Sequence, residues 1–327
     1  MRARIGLLGC GTVGRGFVEL VDRERERIRA RTGVSLEIAK ILVRDVDKPR
    51  GVDRALLTTS ALDVIDAEVD VVVELVGGVH CAGAYVRRAI DLGRDVVTAN
   101  KALLAAEGRE LFAAGRRRGV RIGFEASVCG GVPVVRALQR GLAGDSIESI
   151  AAILNGTCNY ILTRMEDDGL DFSDALAEAQ GKGFAEADPS LDIDGWDAAA
   201  KTAVLANVWL GAGITPLEVR REGISADTAG RVAAARARGR RLKLVASATR
   251  RDGLIDASVE LQELDPADPL ASLDGQGNAI EIDSWPTGRI VVTQRDGGLE
   301  KTAYALMSDL VAVARHAEAH RRGVGTE

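Results

Sequence analysis

The first half of the chain repeats one pattern, in which short apolar runs alternate with stretches whose apolar residues recur at helical spacing. The apolar runs predict strands, the first opening residues 4–17 and the others at residues 38–45, 69–78, 94–105 and 120–128. The stretches between them predict amphipathic helices. Because strands and helices alternate throughout, the pattern predicts an α/β domain built on a doubly wound parallel sheet.

The pattern changes from Ser146 onward. A strand that runs into Asn155-Gly156-Thr157 is followed by helices, and residues 242–264 alternate as an antiparallel hairpin around Arg251-Asp252-Gly253. Two further alternating runs, AIEIDSW and GRIVVTQRDGG, continue the sheet, and a last helix over residues 302–322 is expected to return to the first half. The chain therefore divides into residues 1–128 and an α+β domain of residues 129–301 with a mainly antiparallel sheet.

Composition narrows the function classes. The 327 residues carry a net charge of −5 and only 3% aromatic side chains, so a nucleic-acid partner is not expected. Basic clusters at residues 116–118 and 231–243 indicate solvated helix faces. The four cysteines show no metal or disulfide spacing, and neither a signal peptide nor a membrane-spanning apolar run is present. We expect a cytoplasmic protein without a membrane partner.

A glycine motif, Gly9-x-Gly11-x-x-Gly14, lies between the first strand and the first helix. Such a motif is a weak signal alone, but a strand before it and a helix after it are the context of a Rossmann-type dinucleotide site. The helix N-terminus offers N–H donors to a pyrophosphate. The residues expected to bind the cofactor here are Gly9, Gly11, Thr12, Val13 and Gly14.

The end of the second strand bears on cofactor choice. An acidic residue there favours the ribose hydroxyls of NAD, and a guanidinium favours the 2′-phosphate of NADP. Arg44 and Lys48 favour NADP, while Asp45 leaves NAD open. Gly77 ends the next apolar run and is expected close to the cofactor, whereas His80 is interpreted as structural or peripheral.

Residues 179–201 are rich in carboxylates, and a lysine closes the segment. Carboxylates so close together repel one another unless a cation, such as a substrate ammonium, offsets them. If a helix begins at Trp196, Asp197 and Lys201 share a face. The alternative interpretation is a solvated loop with a surface ion pair. The acidic residues are Glu186, Asp188, Asp192, Asp194 and Asp197.

Five stretches resemble the homoserine dehydrogenase family, which interconverts L-homoserine and L-aspartate 4-semialdehyde with NAD(P). They are GLLGCGTVG, VVTANKALLA, FEASVCGGVP, ILNGTCNYIL and the signature A-x3-GF-A-x2-DP-x2-D-I-x-G-x-D-x3-K. The signature is matched at every specified position from Ala179 to Lys201. Weaker similarity extends the resemblance over nearly the whole chain.

The resemblance implies a role for particular residues. Lys201 and Asp197 would be the catalytic pair, and Lys101 would lie beside the nicotinamide and the substrate. The substrate amino acid would be held by Glu186 and Asp192, with Gly183 in the same loop. Gly298 would contact the cofactor, and residues 129–301 would form the substrate-binding, catalytic and dimerisation domain of a homodimer. A monovalent cation such as sodium would be bound by Glu125 and the carbonyls of Val128, Gly130 and Val132.

Two departures from the family pattern set out alternatives. The loop 294–298 reads QRDGG, whereas the family has a glycine-rich loop at this point. Only Gly298 matches the family pattern. The charged residues of this loop could alter the cofactor preference. Cys129 replaces a usual glycine and would be strained if its φ were positive.

Two competing hypotheses for the function remain. One is a related oxidoreductase that acts on another semialdehyde or amino alcohol, and the other is an inactive NADP sensor. The short C-terminus leads us to expect no feedback inhibition through a regulatory domain.

Overall fold

A computed structural model describes residues 1–321, without the side chains of residue 299 and residues 316–321. The last residue of the predicted C-terminal helix, Arg322, lies outside the described residues. Contacts divide the chain into two compact units: Met1–Gly131 together with the helix from Leu299 onward, and Val132–Gly298. Within residues 1–321, no helix is long and apolar enough to cross a membrane.

The first unit is built on a six-stranded sheet with the order β3-β2-β1-β4-β5-β6, and all its strand pairs are parallel. The strand order reverses between β1 and β4, at whose carboxyl ends ligands of such sheets bind. The predicted doubly wound sheet is thus confirmed. Its elements are β1 Arg2–Leu8, α1 Thr12–Thr32, β2 Ser35–Leu42, β3 Leu57–Thr58, α2 Ala61–Ile65, β4 Val71–Glu74, α3 His80–Asp91, β5 Asp95–Thr98, α4 Lys101–Arg118, β6 Ile122–Gly123 and α11 Leu299–Arg321.

The central strands are apolar on both faces because helices cover both faces of the sheet. On one face, Ile5 and Val71 pack in a cluster with Leu306 and Leu310 of α11. On the other face, alternate residues of the same strands, such as Val72, pack with α2 and α3. These strands therefore need no amphipathic alternation, which is why they appear in the sequence as continuous apolar runs.

Several predicted strands are too long. The strand predicted over 94–105 ends at Thr98, because the Asn100 side chain accepts a hydrogen bond from Leu103 N and starts α4. The strand predicted over 120–128 has only two residues, and Glu125 lies in a 3₁₀ turn, Glu125–Ser127, instead. The second strand ends at Leu42, so that Arg44 lies in the loop beyond it.

The second unit contains a mixed six-stranded sheet, in the order β12-β11-β7-β9-β10-β8. Its pairs are antiparallel except β10 with β8, which confirms the mainly antiparallel prediction. The elements are α5 Val134–Gly141, β7 Ser146–Ile153, α6 Gly156–Asp168, α7 Phe172–Gly181, α8 Ser190–Ile193, α9 Trp196–Leu205, a π-helix Ala206–Leu210, β8 Arg220–Arg221, α10 Thr228–Ala237, β9 Arg241–Arg251, β10 Leu254–Leu264, β11 Asn278–Trp285 and β12 Gly288–Gln294.

The β9–β10 hairpin turns at Asp252 and Gly253, with φ of 52° and 81°, the conformation that a two-residue turn between twisted strands requires. The basic segment 231–243 departs from its prediction. Helix α10 ends at Ala237, and Lys243 lies in β9 with no exposed surface. The interpretation as a solvated helix face is therefore wrong for Lys243, whose ammonium finds buried acceptors instead.

Candidate active site

Helix α9 begins at Trp196 and places Asp197 and Lys201 one turn apart, as their spacing predicts. Lys201 Nζ lies 2.7 Å from Asp197 Oδ2, and the two side chains are only 18% and 11% exposed. The same ammonium donates a hydrogen bond of 2.8 Å to the carbonyl oxygen of Leu154, just beyond the end of β7. The pair is therefore held from two sides and is more than an exposed surface ion pair.

Asn155 joins two of the carboxylates. Its Nδ2 donates to Asp192 Oδ1 at 2.7 Å and to Asp197 Oδ2 at 2.9 Å. Its Oδ1 accepts from Cys158 N at 2.8 Å and caps helix α6. The Asn155 amide thus orients both carboxylates, and its own orientation is fixed by the backbone N–H of Cys158. Asn155 was not among the site residues predicted from the sequence, although the Asn-Gly-Thr junction between a strand and a helix was the signal.

The other acidic residues of the segment behave differently. Glu186, Asp188 and Asp194 are exposed. Asp188 bonds to Ser190, which lowers the pKa of its carboxyl, and Asp194 accepts from Arg221 through its main-chain carbonyl. No side chain in the described part of the chain bonds to the Glu186 carboxylate. The structure therefore joins Asp192 and Asp197 through Asn155, which makes no such bond to Glu186.

Gly183 and Cys158 flank this cluster in different ways. Gly183 is exposed and has a φ of 73°, so it supplies the turn that follows α7. Cys158 is fully buried, and its Sγ lies 3.2 Å from the carbonyl oxygen of Asp192. Burial first, and the charges of Asp192 and Asp197 second, raise the pKa of its thiol well above the ordinary value. Cys158 therefore stays a thiol at neutral pH and is not a nucleophile.

The glycine motif of the first unit has the shape that a pyrophosphate site needs. Gly9 has a φ of 105°, and a Cβ there would lie 2.7 Å from the carbonyl oxygen of Leu75. A Cβ on Gly14 would lie 2.5 Å from the carbonyl oxygen of Gly9, so α1 packs directly on the turn. Gly11 faces open space and caps α1 without a side-chain hydrogen bond. The first turn of α1 is thus shaped to receive an anion, which fits a dinucleotide phosphate.

A buried carboxylate shapes the loops after β4 and β5. Glu74 has no exposed surface, and its Oε1 accepts from the backbone N–H groups of Val76 and Gly77 at 2.8 and 3.0 Å. Its Oε2 accepts from Thr98 Oγ1 at 2.7 Å. Asn100 Nδ2 donates to the Gly78 carbonyl at 2.7 Å and so ties the two loops together. Neither Glu74 nor Asn100 was among the site residues predicted from the sequence. The predicted Lys101 follows at the first position of α4.

Three arginines lie near the glycine motif or just beyond β2, where the adenosine end of a dinucleotide is expected. Arg44 is exposed in the loop after β2. Asp45 Oδ1 accepts a hydrogen bond of 2.8 Å from Asp47 N. Arg50 Nη1 donates to the Asp45 carbonyl at 2.6 Å. The charges of Arg50 and Arg15 oppose the burial that raises the pKa of the Cys10 thiol, so both lie near the glycine loop. Arg15 and Arg50 are further candidates that sequence reasoning missed.

The predicted cation ligands follow one another along the chain. Glu125 is buried, and its N–H donates to Asp309 Oδ2 of α11 at 2.8 Å. Val128 and Val132 are also buried, and the Val132 carbonyl accepts from Val134 N. One carboxylate with several carbonyls suits a hard monovalent ion. The described residues contain no group of three or more His, Cys, Asp or Glu side chains able to hold a metal.

Cys129 is not strained. Among the described non-glycine residues only Asp252 has a positive φ, and the left-handed position falls on Gly130, with φ of 58°. The atypical loop at 294–298 also has a defined shape. A Cβ on Gly297 would lie 2.7 Å from the carbonyl oxygen of Gln276, and Gly298 has a φ of 123°. Both glycines of that loop are therefore required by its backbone.

Comparison with known proteins gives a consistent result along the chain. The sequence model of the homoserine dehydrogenase family matches residues 133–311, and that of the homoserine dehydrogenase NAD-binding domain matches residues 9–125. A homoserine dehydrogenase of Bacillus subtilis is 39% identical over 96% of this chain and 73% of its own length. One from Corynebacterium glutamicum is 42% identical over 95% of this chain and 72% of its own length.

Solved structures agree with these relatives. A homoserine dehydrogenase from Thiobacillus denitrificans superimposes with a TM-score of 0.91 at 40% identity, covering 98% of this chain and 74% of that one. A putative homoserine dehydrogenase from Archaeoglobus fulgidus gives a TM-score of 0.85 at 33% identity, covering 95% of this chain and 99% of that one. The fold and the sequence therefore point to the same group of proteins.

Proposed function

The chain belongs to the homoserine dehydrogenase family, and from that premise we propose which of its residues carry out the reaction. It is an NAD(P)-dependent oxidoreductase acting on a CH–OH group, and it interconverts L-homoserine and L-aspartate 4-semialdehyde in threonine and methionine biosynthesis. We assign cofactor binding to residues 1–128 with the C-terminal helix α11, and substrate binding and catalysis to residues 129–301.

The observation that carries the proposal is the half-buried Lys201–Asp197 pair. Oxidation of the alcohol requires removal of the hydroxyl proton, and reduction of the aldehyde requires its return to the same oxygen. The nicotinamide, when bound, supplies or accepts the hydride. Lys201 transfers the proton, while Asp197 and the Leu154 carbonyl hold its amine in one orientation. Lys101, at the start of α4, is assigned a supporting role beside the reacting oxygen.

The substrate ammonium is assigned to Asp192, with Glu186 and Gly183 in the adjoining loop. Asp192 Oδ1 is fixed by Asn155, so its carboxylate is oriented before a ligand arrives. An oriented carboxylate gives a charge-assisted hydrogen bond to an ammonium at little entropic cost. Glu186 is exposed, three residues after Gly183 in that loop.

NADP is the preferred cofactor in this proposal. Gly9, Gly11, Thr12, Val13 and Gly14 would hold the pyrophosphate, and Gly77 and Gly298 are assigned further contacts with the cofactor. Arg44 would bind the 2′-phosphate, supported by the positive field of Arg15 and Arg50. Asp45, whose carboxylate is engaged by Asp47 N, is less available to a ribose hydroxyl than an unengaged acid would be.

Three finer assignments complete the proposal. A sodium-like monovalent cation is assigned to Glu125 and the main-chain oxygens of Val128, Gly130 and Val132. A homodimer is supported by the prevalence of two-fold oligomers and by Trp285, which is 70% exposed. A cytoplasmic location is supported by four free cysteines. Sedimentation velocity tests the dimer, and rates with and without sodium at fixed ionic strength test the cation.

The reaction is tested by following the absorbance of reduced nicotinamide with L-homoserine and NADP⁺ or NAD⁺. 4-Hydroxybutyrate, which lacks only the amino group, is the matched control substrate. We expect turnover of L-homoserine, faster at low cofactor concentration with NADP⁺, and a rate with 4-hydroxybutyrate lower by about a hundredfold or more. Equal rates with the two alcohols would contradict the assignment of Asp192 and Glu186 to the ammonium.

A further inference from the structure

Lys243 is a lysine with no exposed surface in the middle of the second unit. Its Nζ donates to the Leu273 carbonyl and, at 3.3 Å, to Asn159 Oδ1, and Asp274 Oδ1 lies 3.8 Å away. A buried ammonium is unfavourable unless acceptors surround it. An apolar side chain of the same length would fill the space without that penalty, so the polar contacts call for an explanation.

The acceptors around Lys243 connect helix α6 to one loop, residues 273–277. Asn159 Nδ2 donates to the carbonyls of Leu273 and Gly275, at 3.2 and 2.9 Å. Gly275 N donates back to Thr163 Oγ1 of the same helix at 3.2 Å. The Leu273 carbonyl therefore accepts from both Lys243 and Asn159. Lys243 is the charged centre of a network that fixes the 273–277 loop to α6.

The 273–277 loop in turn lies against the N-terminus of α6. A Cβ on Gly156 would lie 3.1 Å from the Gln276 carbonyl oxygen, so helix and loop are in van der Waals contact there. Gly156 directly follows Asn155, which holds Asp192 and Asp197. A shift of this loop would therefore move the residue that orients both carboxylates.

We propose that Lys243 is a positioning residue for the substrate site, acting through the 273–277 loop and the N-terminus of α6 on Asn155 and its two carboxylates. The inference rests on the proposed assignment of Asp192 and Asp197 to substrate and proton transfer. It concerns a residue outside the acidic segment 179–201. Only the protonated amine of Lys243 carries the charge that strengthens its bonds to both acceptors.

The electrostatic surroundings agree with this geometry. Burial lowers the pKa of Lys243 to about 8, and the neighbouring charge of Arg241 adds to the shift, while Asp274, Glu166 and Asp167 oppose it. Arg241 itself is bound to Glu166 and Asp274. The ammonium form of Lys243 therefore predominates at neutral pH. Glu166 and Asp274, which are among the acids that favour it, also bind the Arg241 guanidinium.

The test compares Lys243→Met with Asn159→Ala, each of which breaks the network at a different point. We expect each variant to raise the KM for L-homoserine by about tenfold, with a smaller fall in kcat, and to leave the KM for NADP⁺ within about twofold. Ile90→Val, which removes one buried carbon from α3 in the first unit, is the control; it should lower the melting temperature and leave both KM values unchanged.

The outcomes are distinguishable. A KM for homoserine unchanged in both folded variants, with only the melting temperature lowered, would overturn the positioning role and leave the proposed function intact. Failure of the unaltered protein to oxidise homoserine would instead overturn the proposed function. If Lys243→Met does not fold, the result with Asn159→Ala decides the question, because Asn159 makes the same links without a buried charge.

Discussion

Asn155 is the residue whose replacement probes the site most finely. Asn155→Asp keeps the size of the side chain and its ability to cap α6, because aspartate is as good an N-cap as asparagine. The Asn155 NH2 group donates to Asp192 and Asp197 at 2.7 and 2.9 Å. The substitution replaces this donor with an oxygen of a third carboxylate. The change therefore removes the donor without removing the cap, whereas Asn155→Ala removes both.

The magnitudes follow from these contacts. A hydrogen bond to a charged group contributes about 1.5–3 kcal/mol, and a lost N-cap costs about 1 kcal/mol. Since the site is partly open to water, which can replace some of the bonding, we expect Asn155→Ala to lower the free energy of unfolding by about 1–3 kcal/mol. The loss of oriented carboxylates should lower kcat/KM for homoserine by about 10- to 100-fold.

Asn155→Asp should show a distinctive dependence on pH. Its new carboxyl faces two others, so like-charge repulsion raises the pKa of the cluster. As the pH falls, one proton returns to the cluster and supplies an O–H donor in place of the lost N–H. The ratio of variant to wild-type kcat/KM should therefore rise from pH 8 to pH 6, by about tenfold. The wild type, which has no third carboxyl in this cluster, is the reference at each pH.

The assay is the initial rate of NADPH formation at varied homoserine, with urea unfolding of the same samples as the measure of stability. A ratio near one at every pH would show that Asn155 does not orient the acids. A uniform loss in Asn155→Asp without pH dependence would show that the third carboxylate acts by distorting the fold, and it would also refute this reasoning.

Three further predictions concern other parts of the molecule. The pKa of Lys243 falls from 10.5 in the unfolded chain to about 8 in the folded protein, so between these values the unfolded chain holds a proton that the folded protein has lost. The free energy of unfolding of the wild type should therefore rise with pH above pH 8. Relative to Lys243→Met, urea unfolding should show a rise of about 1–2 kcal/mol between pH 8 and 9.5. Arg44→Glu should raise the KM for NADP⁺ by about tenfold or more and that for NAD⁺ little, as rates at varied cofactor would show. Gly14→Ala should abolish cofactor binding, measured by NADPH fluorescence, because its Cβ would meet the Gly9 carbonyl oxygen at 2.5 Å.

The local features of the fold were predictable because they depend on residues close together in the chain. The parallel sheet follows from apolar runs that are buried on both faces, and the β9–β10 hairpin follows from Asp252-Gly253. The Lys201–Asp197 pair needed only a helix starting at Trp196. Strand ends were less predictable, since side-chain caps such as Asn100 end an apolar run before its sequence does.

The contacts that organise the sites depend on long-range register. Asn155 meets Asp192 and Asp197 across 37 and 42 residues, and the packing of α6 on α8 and of α8 on α9 brings them together. Glu74 was hidden in an apolar run, and its role depends on backbone N–H groups that appear only when the following loop turns back. Lys243 lies in a basic segment, and its acceptor on α6 is 84 residues away.

The central claim is that Lys201 transfers the proton, and Lys201→Ala tests it most directly. Lys182, which is half-exposed in the same segment and paired with Glu178, provides the matched control Lys182→Ala. We predict that Lys201→Ala lowers kcat for homoserine oxidation by about 10²- to 10⁴-fold while NADPH binding is unchanged, and that Lys182→Ala has near-normal turnover. A kcat for Lys201→Ala within a few-fold of the wild type, at saturating homoserine and NADP⁺, would contradict the account.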